Sequence, residues 1–230
     1  MKKYTTLLFD ADETLLDFKK DETFAIRRIL DDFSIEKSEE NVSAYKRINK
    51  NLWKLIEKGE IDKPTLKKTR FSIFFKEIGY ISKEDPFITN ERYLSYLADA
   101  GSLLSGAKEL IDELNSDGYD LYIVTNGIEK TQKKRLTKAG ILPYFKEIFV
   151  SEAIGYQKPR KEYFDFVLSE IKEKDVSRVL LIGDSLTSDI TGALNAGIPC
   201  AWLRHDPCAT AGELHPDYII DDIKEVKDII

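Results

Sequence analysis

From Gly106 onward the chain alternates short continuous apolar runs with segments of helical period, a pattern that few folds accept. A helix is expected at about 106–117, ended by Gly118, and it leads into the strand Asp120–Thr125 (DLYIVT), which stops at Asn126-Gly127. A helix at about 129–139 ends at Gly140 and precedes a strand at Glu147–Ser151. A helix opening near Pro159 follows, then the strand Arg178–Gly183 (RVLLIG) and a helix from about Leu186 to Ala196. Short strands at Cys200–Leu203 and Tyr218–Ile220 close the series. Continuous apolar strands separated by helices predict an α/β core, a Rossmann-like parallel sheet with helices on both faces.

The N-terminus supplies one more strand, Tyr4–Phe9, without a crossover helix of its own beside it. It most simply joins the later sheet, so the helical stretch between is an insertion. Residues 1–17 and 103–230 are then the core, and 18–102 a separate helical bundle. Within the insertion, Asp21 is expected to cap a helix running to about Phe33. Tyr45, Ile48, Leu52, Leu55 and Ile56 repeat at helical spacing before Gly59. Pro64 suits the first turn of a third helix, whose stripe is Phe71, Phe74, Phe75 and Ile78. A fourth carries Tyr93, Leu94 and Leu97. The Phe71, Phe74 and Phe75 group is expected in the core of this bundle.

Of the 230 residues, 35 are basic and 41 acidic, a formal charge of −6 that argues against a nucleic-acid polymer as partner. No apolar run approaches the roughly 20 residues a membrane-spanning helix needs. Cys200 and Cys208 fit no zinc or redox motif, and with no signal-peptide core the expected location is cytoplasmic. His205 and His215 have no ligand pattern around them and are expected at the surface. Monomer and homo-oligomer both remain open.

The chemistry is expected where the strands end. Strand one stops at Asp10, with Asp12 two positions on and pointing the same way while the chain stays extended. Strand two ends in Thr125 and Asn126, Lys158 follows strand three, and strand four ends in Gly183-Asp184-Ser185, with Asp189 beyond. In a parallel sheet these ends share one edge, so residues distant in sequence converge. Taken singly, Lys158 reads as a solvated loop lysine, and Asp184 and Asp189 as helix-terminal acids. Together, several carboxylates, one Lys and one hydroxyl call for a divalent cation, and all-oxygen ligation suits Mg²⁺. With the charge so screened, a small phosphate ester can approach. Asp10 can attack phosphorus to form an aspartyl-phosphate, and Asp12 can protonate the leaving oxygen and then activate water.

FDADETL, TNG, the QKP around Lys158 and GDSLTSD resemble, in order, the four motifs of the haloacid dehalogenase (HAD) superfamily. The resemblance spans essentially the whole chain, including a helical cap inserted after strand one. It implies Asp10 as nucleophile and Asp12 as acid/base. Thr125 and Lys158 would hold the phosphoryl group, with Asn126 part of the second motif. Asp184 would ligate Mg²⁺ with Asp10 and the Asp12 backbone carbonyl, and Asp189 would act through the metal's water. Glu13 stands where the family pattern has Gly, so it either alters the turn or faces substrate. DADETL and the segment INKNLWKLIEKGEI are similar to the pyrimidine nucleoside 5'-monophosphatase branch, with Glu13, Phe18, Asn49 and Trp53 the candidate specificity positions. The alternatives are a sugar-phosphate phosphatase or phosphomutase, a 2-haloacid dehalogenase, or a non-catalytic module that carries a phospho-aspartate.

Overall fold

A computed structural model describes residues 2–230. In chain order the regular elements are β1 (Thr6–Phe9), α1 (Phe18–Asp32), α2 (Glu39–Glu57), α3 (Lys63–Glu77), α4 (Pro86–Asp99), α5 (Ala107–Ser116) and β2 (Asp120–Thr125). They continue with α6 (Glu129–Lys138), β3 (Glu147–Val150), α7 (Ser151–Ile154), α8 (Lys161–Glu170) and β4 (Val179–Gly183). The last are α9 (Thr191–Ala196), β5 (Cys200–Leu203), β6 (Tyr218–Ile220) and α10 (Val226–Ile229).

The chain forms two compact units. One comprises the residues up to Phe18 together with Gly101–Ile230, the other Lys19–Ala100.

In the first unit the strands make a single sheet in the order β3-β2-β1-β4-β5-β6, every neighbouring pair parallel. The two-residue side-chain period divides each apolar run between the faces of the sheet. Leu7, Phe9, Leu121, Ile123, Leu180 and Ile182 pack on one side with Leu110, Ile111 and Leu114 of α5. Leu8, Tyr122, Val124, Val179 and Leu181 pack on the other with Tyr163, Phe164 and Val167 of α8. Both faces are therefore covered, and the strands must read as unbroken hydrophobic segments.

Strand order reverses direction at β1, with β2 and β3 to one side and β4 to β6 to the other. The carboxyl ends beside such a switch point are where open α/β sheets bind ligands. Register brings the predicted residues there. Phe9 pairs with Ile123 on one side and Ile182 on the other, so Asp10 follows level with Val124 and Gly183. The points where the insertion leaves and returns are stitched together: Leu16 bridges Leu103, and Asp17 N–H donates to the Ser102 carbonyl at 2.9 Å.

The second unit is a helical bundle whose centre is aromatic. Tyr45 lies 5.4 Å from Phe71, 5.5 Å from Phe74 and 5.2 Å from Tyr93, between ring centroids. Ser38, Asp62 and Asp85 cap α2, α3 and α4 by accepting from backbone N–H groups of the first turn. Asp21 does not cap α1. That helix begins at Phe18, and Asp21 is buried in its first turn, because Leu16 and Asp17 are already held by the strand-like clamp just described. The short α7 and α10 also lie outside the sequence expectation, and the expected helix from Leu186 to Ala196 opens with a wider π-helical turn over Leu186–Ile190 before α9.

Candidate active site

β1 delivers Asp10 into a buried cluster. Lys158 Nζ donates to Asp10 Oδ1 at 2.6 Å, to Asp189 Oδ1 at 2.6 Å and to the Val124 carbonyl at 2.8 Å. All three ammonium hydrogens are thereby spent, which is what allows a lysine to be fully buried. The solvated-loop reading that Lys158 invites when taken singly does not hold, and the side chain crosses the strand ends as a member of the site. Its loop is held by Asn126, whose amide donates to the Lys158 carbonyl and accepts from the Lys158 N–H, each at 2.9 Å. The conformational role of Asn126 is thus to position Lys158.

Asp184 follows β4, and oxygen atoms of Asp10, Asp184 and Asp189 lie within 4.8 Å of one another. Asp189 Oδ2 accepts from the Ser185 N–H at 3.1 Å. Gly183 makes this possible, since a Cβ there would sit 2.5 Å from the Asp189 side chain, which Lys158 and Ser185 pin in place. The helix-terminal reading of Asp184 is corrected: Ser185 is the residue whose side chain accepts from the following turn.

The electrostatics follow from burial. Desolvation pushes the Asp10 carboxyl up to about 7, against the pull of Lys158, with Asp189 and Asp12 adding to the rise. Burial and then Asp10 and Asp189 hold Asp184 well above the usual carboxylate range. Burial works against the charge on Lys158, but Asp10 and Asp189 outweigh it and keep the ammonium above the ordinary lysine value. Three carboxylates thus face one ammonium. A divalent cation removes the surplus of negative charge, and an all-oxygen set fits Mg²⁺.

Asp12 is placed differently. Its Oδ1 accepts from Arg135 Nη1 and its Oδ2 from Gln132 Nε2 at 2.8 Å, both donors coming from α6. Gln132 Nε2 also donates to Thr125 Oγ1 at 3.0 Å, and the Gly127 N–H donates to the same oxygen at 3.1 Å. With both acceptor positions of Thr125 filled, its hydroxyl hydrogen is left to donate to an anionic oxygen. Gly127 belongs to this arrangement too, because a Cβ there would lie 2.5 Å from Gln132 Cγ.

Glu13 adopts φ +60°, the left-handed conformation a glycine would take without strain, so the turn keeps its shape despite the substitution. His205 is exposed, as expected, and its Nε2 lies 2.6 Å from the Glu13 carbonyl oxygen, to which it must donate. Glu13→Gly is expected to raise stability by up to about 1 kcal/mol, relieved strain outweighing the unfolded-state entropy of Gly. Thermal melting checks it; a fall in Tm would show that Glu13 side-chain contacts outweigh the strain.

Of the other candidate specificity positions, Phe18 has its ring 5.5 Å from the Arg135 guanidinium. Trp53 is half-buried on α2. Asn49 is buried, donating to Glu22 Oε1 at 2.6 Å and accepting from Arg70 Nη1 at 2.9 Å. The sequence reading missed Gln132 and Arg135. The available signal was their i, i+3 spacing, which puts two long polar side chains on one face of α6.

The haloacid dehalogenase-like hydrolase family model matches residues 4–197. The chain belongs to this family. It is similar over its whole length to the HAD-hydrolase YfnB of Bacillus subtilis, 41% identical with 97% of that protein covered. A crystal structure of YfnB bound to magnesium superposes with a TM-score of 0.92, covering 99% of both chains. The pyrimidine 5'-nucleotidases PynA of Streptococcus pneumoniae and YjjG of Escherichia coli are 37% and 30% identical over 99% of this chain, with 95% and 98% of their own lengths covered. The protein is accordingly a hydrolase with the fold of the family. Among the described residues no helix is long and apolar enough to cross a membrane.

Proposed function

We propose that the protein is a Mg²⁺-dependent phosphomonoester hydrolase acting on nucleoside 5'-monophosphates. The observation that carries the reading is the state of Asp10. Lys158 grips one of its oxygens at 2.6 Å, and the other has no protein partner among the described residues. That free oxygen is the nucleophile. It bonds to phosphorus as the ester P–O bond breaks, and Asp12 gives its proton to the departing oxygen. Water then attacks the aspartyl-phosphate, passing a proton to Asp12, and phosphate leaves with both carboxyl groups restored. The Thr125 hydroxyl donates to a phosphoryl oxygen, the Lys158 ammonium attracts the phosphoryl group by its charge with its hydrogens already committed, and charge neutralisation with in-line positioning supplies most of the rate.

Asp10, Asp184 and the Asp12 backbone carbonyl would hold Mg²⁺, with Asp189 acting through its water shell. When bound, the ion neutralises the phosphate and the acidic cluster together. Attack on a haloacid carbon would leave no alkoxide to protonate, so Asp12 favours phosphoryl chemistry. The two relatives named pyrimidine 5'-nucleotidases support a nucleoside monophosphate as substrate. We assign contact with the leaving group to Glu13 and Phe18, which keep solvent-facing surface, and leave Asn49 a supporting role inside its bundle.

The test is phosphate release from a panel of nucleoside 5'-monophosphates and sugar phosphates, with Mg²⁺ and with chelator. Pyrimidine nucleotides are expected to be turned over fastest and chelator to abolish activity. Halide release from haloacids without phosphate release would overturn the assignment.

A further inference from the structure

Asp12 is the one acid of the site held by residues that no recognised motif contains. Arg135 is completely buried, while the Asp12 side chain keeps 30% of its exposure. A buried guanidinium needs an anionic partner, and the partly exposed carboxylate of Asp12 supplies it. The geometry is over-determined. Arg135 Nη1 also donates to Gln132 Oε1 at 3.0 Å, which fixes which end of the Gln132 amide faces Asp12. The amide must then present Nε2 to Asp12 Oδ2. One oxygen of the carboxylate is held by the arginine and the other by the glutamine, so its plane cannot rotate. Each oxygen retains a further lone-pair site for the transferred proton.

Resting on the phosphatase reading above, we propose that Gln132 and Arg135 are positioning residues that orient the Asp12 carboxyl toward the leaving oxygen. Removing either lets Asp12 rotate away from the line of proton transfer, without touching the nucleophile, Lys158 or the acids that would hold the metal; Gln132 also donates to Thr125 Oγ1, so its removal adds a loss in phosphate binding that is common to every substrate. The cost then depends on how much the leaving group needs a proton.

The experiment compares kcat/KM on a nucleoside 5'-monophosphate, which leaves as an alkoxide, with kcat/KM on p-nitrophenyl phosphate, whose phenolate leaves unaided. Arg135→Met is expected to lower the first by roughly 10- to 100-fold and the second by less than about 3-fold, and Gln132→Met to lower the first by roughly 10-fold or more beyond whatever loss it causes on the second. Arg135→Lys should recover part of the loss. Arg135→Met combined with Asp12→Asn should be no slower than Asp12→Asn alone, because both changes remove one function. Melting temperatures separate misfolding from mispositioning, and the Gln132 variant carries the test if the Arg135 one does not fold. Equal losses on both substrates, or losses that add to Asp12→Asn, would show a merely structural role and overturn the proposal. If Asp12→Asn itself slows both substrates equally, the acid role of Asp12 fails and the positioning role falls with it.

Discussion

Asp10→Asn is expected to lower phosphate release by on the order of 10³-fold or more while leaving the fold intact. The amide keeps an oxygen for Lys158 Nζ, now 2.6 Å from Asp10 Oδ1, so the ammonium loses no hydrogen bond. It also removes one negative charge from a cluster in which Asp10 and Asp189 both push the Asp184 carboxyl upward. The Tm of the metal-free variant should therefore equal or exceed that of the parent, and its affinity for Mg²⁺ should fall. Steady-state phosphate release and thermal melting measure the two effects separately. Retention of about a tenth of the parent activity would remove Asp10 from the nucleophile's place.

Lys158→Met should cost both activity and stability. The side chain of Lys158 is 2% exposed and its partners Asp10 and Asp189 are 10% and 1% exposed, so the variant strands two buried carboxylates without a counter-charge. Breaking a buried pair from one side costs about 3–5 kcal/mol, which for a chain of this size lowers Tm by roughly 10 °C. The Val124 carbonyl also loses its side-chain donor. Added Mg²⁺ should recover part of the stability by restoring positive charge, without restoring turnover. A variant as stable as the parent in chelator would mean that the acids shed their charge by protonation.

Much of this site is legible in the residue order. Asp10 and Asp184 each follow a strand whose apolar run ends abruptly, Thr125 is the last residue of another, and a parallel sheet aligns such ends by its hydrogen-bond register alone. Gly127 and Gly183 are legible only as motif letters. The structure supplies the reasons, the close approach of Gln132 to one and of Asp189 to the other. The start of α1 lies four residues before the one that a cap at Asp21 implies, and the clamp between Leu16 and Leu103 that decides the start joins segments 87 positions apart.

What the residue order determines by itself is the core. Its strands must be buried on both faces, its acids fall at strand ends, and its aromatic helices form a separate bundle, since each of these depends on spacing within one element. What the tertiary structure decides is how the acids are partnered. Lys158 reaches Asp10 across 148 positions, and Arg135 reaches Asp12 across 123. No local period encodes such meetings; they arise because the switch point at β1 brings the ends of β2 and β4 to either side of one strand, and buried charge settles on whatever partner that edge provides.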